Sequence, residues 1–426
     1  MTDTSTDARR DGSPGVPPPR TGSGLSRRPR VAFAVLFVAC LALAFGYAWR
    51  SSARRAALFG DATLPPITRL ADLEQPTDQP VDQPSAAAPA DPDAVPAVAV
   101  GGANAATTTS APESTAASPA APDVDPPVAA NTSRERTFFV RHTGLDASYG
   151  VMSVLRLSAT GEDRRATPLR CDRLHFAVDR GVCLATDRFY TTHSIMVFDR
   201  AFEPLFTLPL NGVPSRARVS PDGRRAAVTV FVTGHSYADE VFSTETSILD
   251  THTGERLVRS LEEFEVTQNG ARVRAVDINF WGVTFTSDSD RFYATLGTGG
   301  RVYLVEGRVS ERSVTVIREG VECPSLSPDQ TRVAFKKRVY SGTDFVWRLY
   351  VMDLDTYTET PLAETRNVDD QVEWLDDTVL IYAMPDPTAP TTRVTDVWRV
   401  WADGRGEPAL LLRQAFSPAA LQVGGL

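Results

Sequence analysis

Ser220-Pro221-Asp222-Gly223 closes the stretch 216-RARV and opens another, 225-RAAVTVFV. The proline fixes φ at the second turn position, the aspartate can hydrogen-bond forward to the backbone, and the glycine accepts positive φ. The same arrangement returns along the chain. Ser327-Pro328-Asp329-Gln330 follows 323-CPSL, Ser287-Asp288-Ser289-Asp290 follows 282-GVTFT, and Leu375-Asp376-Asp377 follows 371-QVEW. After each turn an apolar strand resumes, rich in β-branched and aromatic residues and partly alternating.

A second mark closes a later strand of each unit. Ile248-Leu249-Asp250 leads into Thr253-Gly254-Glu255, and Val351-Met352-Asp353 into Thr356-Tyr357-Thr358-Glu359. Val197-Phe198-Asp199 and Trp401-Ala402-Asp403-Gly404 end in the same way. Each unit thus holds four strands in roughly 40–50 residues, the length of a propeller blade. Six units begin near Arg136, Cys171, Ser215, Phe280, Cys323 and Asp369, with extra residues from about Arg256 to Asp277. Sheets this small must shelter one another's apolar faces, so the expected fold class is all-β, a six-bladed β-propeller over 134–426. The first unit lacks an innermost strand. The tail 415-AFSPAALQV resembles the inner strand at 323-CPSLSP and is expected to insert there, removing two open sheet edges.

The turns and strands resemble TolB-like propellers. The resemblance rests on the S-P-D-G turn with its following alternating strand, on the V-M-D-L-D turn, and on 278-INFWGVTFTSDSDRFYATLGTGGRVYLVEG and 323-CPSLSPDQTRVAFKKRV. These stretches are similar to membrane-anchored actinobacterial members of that group. The resemblance covers about Arg134 to Leu426 and implies the fold and, more loosely, protein partners; one fold hosts many roles. Gln330 stands where the pattern has glycine.

N-terminal to the propeller the composition changes. Residues 31–49 read VAFAVLFVACLALAFGYAW, without charge or proline. That is just long enough for a transmembrane helix across a hydrocarbon core of roughly 30 Å. Tyr47 and Trp49 suit an interface, and the arginines of residues 1–30 tip the N-terminus towards the cytoplasm. Cleavage after Ala42-Leu43-Ala44 fits less well, because the apolar run continues past that site; a lipoprotein signal at Cys40 has unsuitable neighbours. The expected organisation is a disordered cytoplasmic tail (1–30), a transmembrane helix (31–49), a Pro/Ala/Thr-rich disordered linker (50–133) and the propeller outside the membrane (134–426). A little helix is expected between Arg50 and about Leu73. The rest of the linker has no strand or helix period and too little apolar content to offset its ordering entropy.

Chemistry is sparse. A net charge of −9 opposes nucleic-acid binding, and Lys336 and Lys337 are the only lysines. No G-x-S-x-G, P-loop or dinucleotide fingerprint occurs, so no catalytic or cofactor-binding residue is assigned and no cofactor is expected. His142, His175, His193, His235 and His252 lack metal-ligand spacing, so no metal site is expected either. Cys171 and Cys183 are close enough to bridge across a strand pair in an exported domain; the other reading is two small buried apolar residues. The loop 233-TGHSYADE concentrates His235, Tyr237, Asp239 and Glu240 and is the candidate partner-binding loop, set against a plain exposed hairpin tip. The tryptophans at 281, 347, 374, 398 and 401 are expected to pack between blades. The expected function is a non-enzymatic, membrane-anchored, extracytoplasmic module that binds an envelope protein or glycan. The alternative is a glycan-acting hydrolase or lyase, which needs carboxylates converging at one end of the channel.

Overall fold

The computed structural model describes residues 36–43, 63–74, 136–158, 161–187, 189–239 and 241–421. The chain divides into two units, Met1–Gly60 and Asp61–Leu426. In the first, residues 36–43 form a helix with exposed side chains. The remainder of the expected span 31–49 lies outside the described residues, and among the described residues no helix is long and apolar enough to cross a membrane.

The second unit is a ring of six antiparallel sheets. Counting outward from the axis, blade 1 consists of Ala415–Ala420, Arg136–His142, Val151–Ser158 and Gly161–Arg170. The C-terminal strand therefore supplies the inner strand of the first blade, in register Phe138↔Ala420 and His142↔Ala415, as the sequence pattern predicts. The inner strands of blades 2 to 6 are Arg173–Ala177, Val213–Val219, Asn279–Phe285, Glu322–Leu326 and Glu373–Asp376. The extra residues before blade 4 extend it outward. Glu265–Gln268 pairs in parallel with Ser313–Glu319, and Ala271–Arg272 pairs with Glu265–Gln268, so that sheet has six strands.

The turns work as their residues require. In blade 3, Asp222 Oδ1 accepts from Ser220 Oγ at 2.6 Å and from Arg224 N at 3.0 Å, while Gly223 takes φ +76°. Blades 4 and 5 keep this geometry without glycine: Ser289 and Gln330 adopt φ of 58° and 60°. Left-handed backbone costs a side-chain-bearing residue about 1–2 kcal/mol. Gln330 also links blades, its Oε1 accepting from Ser287 N at 3.0 Å.

The core is divided among the seams. Each buried apolar cluster draws mainly on two neighbouring blades: Leu184, Val197, Val219 and Leu249 join blades 2 and 3, and Ile248, Val258, Phe280 and Phe292 join blades 3 and 4. Phe138, Leu155, Ile381 and Val397 join blades 1 and 6. No sheet covers its own faces, and closing the ring is what buries them.

One stretch of the expected disordered linker departs from that expectation. Ile67, Leu70 and Leu73 are buried against Phe139, Leu169, Phe176 and Phe202 at the seam of blades 1 and 2. Leu64 N donates to Ser148 Oγ at 3.0 Å, Ile67 N to Ala166 O at 2.8 Å, and Leu70 N to Arg200 O at 2.8 Å. The expected helix is a single turn, Ala71–Glu74, resting on the propeller. Three apolar side chains at a spacing of three residues suffice to dock this segment, although the composition around it is that of a linker.

Candidate binding site at the central channel

Strands alternate in direction within a blade. The inner strands therefore begin at the end of the ring that carries the loops between second and third strands, and the Ser-Pro-Asp turns lie at the other end. We call the first end the loop face. The inner strands of blades 1, 2, 3 and 6 enclose a cavity of about 20 Å³ lined by Arg173, His175, Arg216, Arg218, Asp370, Gln371, Glu373 and Ser417, among others.

Charge fills this channel. Arg218 pairs through Nη1 with Glu373 and donates through Nη2 to Val372 O at 3.1 Å and Ser325 Oγ at 3.4 Å. His175 Nδ1 accepts the Val219 backbone N–H at 3.1 Å, and its Nε2 lies 3.1 Å from Arg218 Nη1 and 3.4 Å from Glu373 Oε1. Burial holds the His175 pKa below its ordinary value, keeping the ring neutral. Burial alone would raise Glu373, but Arg218 and His175 outweigh it and hold the carboxyl ionised.

Nearer the loop face, Arg173 pairs with Asp370 at 3.0 Å, and Arg216 reaches Asp369 at 3.4 Å. Lys336, buried on the second strand of blade 5, also pairs with Asp369. Burial works against ionised Asp369, but Lys336, Arg216 and Arg173 together lower its pKa. Lys336 Nζ lies 3.9 Å from the centre of the Trp347 ring and 5.1 Å from that of Tyr237. Beside them, towards the loop face, Arg338 pairs with Glu322 at 2.7 Å, and Trp347 Nε1 donates to the same carboxylate at 2.9 Å.

The proposed partner loop is divided in role. Tyr237 is buried: it stacks on Trp281 at 5.0 Å, its hydroxyl bonds Ser215 Oγ at 2.6 Å, and Arg216 lies 5.0 Å from its ring centre. Burial raises its pKa. Asp239 Oδ2 accepts from His235 N at 2.9 Å and Ser236 N at 3.1 Å, bracing the loop's own backbone. His235 is exposed, and Glu240 lies outside the described residues. The loop thus delivers one aromatic ring to the channel mouth, with its acidic residue turned to local structure. Cys171 and Cys183 are joined by a disulfide with Cα atoms 5.3 Å apart, and Cys323 is free and buried. Among the described residues no group of His, Cys, Asp or Glu converges as a metal site.

The channel arginines were not singled out in the sequence. Their signal is the period of two in 213-VPSRARV, where Arg216 and Arg218 point to the axis from a strand with an otherwise apolar and small-residue pattern. Trp374 Nε1 donates to Ser325 O at 2.8 Å across the seam of blades 5 and 6, the packing role expected of it.

No protein-family model matches the chain, and no curated protein matches it in sequence. Solved structures are similar in fold. TolB from Acinetobacter baumannii is 16% identical, covering 68% of this chain and 67% of its own, with a TM-score of 0.45. The β-propeller domain of the Trilobed protease from Pyrococcus furiosus is 13% identical, covering 57% of this chain and 70% of its own, at a TM-score of 0.32. A chain of a nidogen/laminin complex is 11% identical, covering 68% and 99%, at 0.43. The likeness is one of fold alone.

Proposed function

We propose that this six-bladed propeller, a scaffold typical of binding modules, is a membrane-anchored extracytoplasmic module that engages an envelope protein or glycan through its loop face. The observation that carries the reading is where the exposed apolar side chains gather. Phe189 and Tyr190 (blade 2), Val232 and Val241 (blade 3), Val276 (before blade 4), and Val339, Tyr340 and Val346 (blade 5) all lie at that end of the ring. Among the described large apolar residues of the propeller, only Leu205 and Tyr357 are exposed elsewhere. Clustered exposed apolar residues on one face are a mark of interaction surfaces. The uncharged run 31–49 supports the anchor.

The glycan-hydrolase alternative draws less support. Its two carboxylates would have to include one that is protonated and able to donate. In the channel Asp370 is paired with Arg173, and Glu373 and Asp369 are held ionised by their cations.

The test is capture of envelope components by the full chain, comparing Tyr340→Asp and Val346→Asp with Tyr357→Asp at the opposite end. Loss with the first pair and retention with the third is the expected result. Equal capture by all three variants would refute the assignment of the loop face.

A further inference from the structure

The cavity lining holds three guanidiniums, Arg173, Arg216 and Arg218, against two carboxylates, Asp370 and Glu373. His175 is neutral, and Asp369 beside the cavity is matched by Lys336. One positive charge is thus uncompensated, in a chain whose net charge is −9. The surplus is localised. Arg173 and Arg218 each have a carboxylate of their own. Arg216 does not: Nη2 reaches only Asp369 at 3.4 Å, the group that Lys336 also holds, and Nη1 donates to Ser215 O at 3.0 Å. Its Nε is buried without a partner, as is that of Arg218, so what sets Arg216 apart is the lack of a carboxylate of its own; its side chain is 6% exposed.

A buried cation whose one charged acceptor is long and shared is costly to keep, and an anion placed against its terminal nitrogens removes that cost. A carboxylate meets that fork with two parallel charge-assisted hydrogen bonds. The charge balance selects the same chemistry. One negative charge neutralises the lining, whereas a doubly charged phosphate would leave a buried negative excess. The cavity admits one small end group, so the rest of the ligand must lie outside it.

We infer that the channel is a carboxylate-binding site, in which Arg216 grips the terminal carboxylate of a ligand that enters from the loop face. The inference rests on the binding function proposed above and names the group recognised. A peptide C-terminus and a uronic acid share this chemistry, and the test separates them.

The full chain in detergent is titrated calorimetrically with a short apolar peptide acid, the same peptide as its C-terminal amide, glucuronate, and inorganic phosphate. Binding of the peptide acid or of glucuronate, without the amide, is the expected result; which of the two binds identifies the source. Arg216→Lys keeps the charge and removes the fork, and it should weaken binding about 10- to 100-fold. Should that variant melt early, the acid–amide comparison on the unaltered chain decides alone. Equal binding of acid and amide, binding of phosphate in preference, or no binding at all overturns the inference. A chain that binds no carboxylate yet still captures envelope components through Tyr340 loses this site and keeps its proposed function.

Discussion

Glu373→Gln removes one charge from the channel and almost no volume. In the native channel Arg218 is 8% exposed and Glu373 7% exposed, and they neutralise each other. Without the carboxylate, Arg218 keeps Val372 O at 3.1 Å, Ser325 Oγ at 3.4 Å and the neutral His175 ring, whose Nε2 lies 3.1 Å from Nη1, with no negative charge among them. Removing one partner of a buried pair leaves an unmatched charge and costs about 3–5 kcal/mol, whereas replacing both by apolar residues is often neutral. We therefore expect Glu373→Gln to lose about 3–5 kcal/mol, Arg218→Met a similar amount, and the double Arg218→Met/Glu373→Met far less than their sum. Urea unfolding followed by tryptophan fluorescence measures all three; Trp374 is the neighbour of Glu373. The pH dependence is a second readout. Glu373 has a folded pKa below its usual 4.5, so its contribution is complete above that value and fades as pH falls through the folded pKa. His175, depressed below 6.5, likewise stabilises above 6.5 and loses that contribution as pH drops. In Glu373→Gln the first decline disappears, so stability falls less steeply below pH 4.5 than in the native chain. A loss under about 1 kcal/mol, or single-variant costs that simply add in the double, would refute the account of a mutually dependent buried pair.

Two further outcomes follow from the seam of blades 1 and 2. Leu70→Ala, at a fully buried position, should cost about 2–5 kcal/mol in denaturant titration; an unchanged midpoint would mean that the 63–74 segment is not held on the propeller. Cys183→Ser should cost about 3 kcal/mol by chain entropy for a 12-residue separation, and mass spectrometry of the untreated chain should show two fewer protons than of the reduced chain.

The ring was legible because its punctuation is chemical. Asp222, Asp288 and Asp329 each bond forward across a turn, and that need survives even where glycine has been replaced by Ser289 or Gln330. The tail's membership of blade 1 was legible for the same reason: a unit with three strands and a leftover strand of inner-strand type have one economical solution. The channel was not legible. Pairs such as Arg218 with Glu373 and Lys336 with Asp369 join residues 155 and 33 positions apart, and nothing local distinguishes them from surface charge. Tyr237 misled in a similar way. Its loop has the polar composition of an exposed tip, yet the ring turns inward because Trp281 offers it a stacking face from the next blade. The docking of residues 63–74 was hidden by its short length, since three leucine-type contacts do not alter the composition of a proline-rich stretch.

These features converge on one place, for a reason intrinsic to the topology. One blade of this ring is assembled from both ends of the domain. Here it is blade 1, whose inner strand and second strand are joined by hydrogen bonds and by no short stretch of chain. Closing that junction fixes residues nearly three hundred positions apart, a long loop whose closure cost grows only with the logarithm of its length. The adjoining seam of blades 1 and 2 carries supports of its own. Ser417 of the C-terminal strand donates to Leu174 O at 3.0 Å and accepts from Leu174 N at 3.1 Å, tying the junction to blade 2. The Cys171–Cys183 disulfide braces the entry to blade 2, and Ile67, Leu70 and Leu73 fill the outer part of the same cluster. The same inner strand, through Ser417 and Pro418, lines the cavity in which Arg216 lies. Ring closure and the cavity therefore share a wall, and a ligand seated there would add its binding energy to the closed ring.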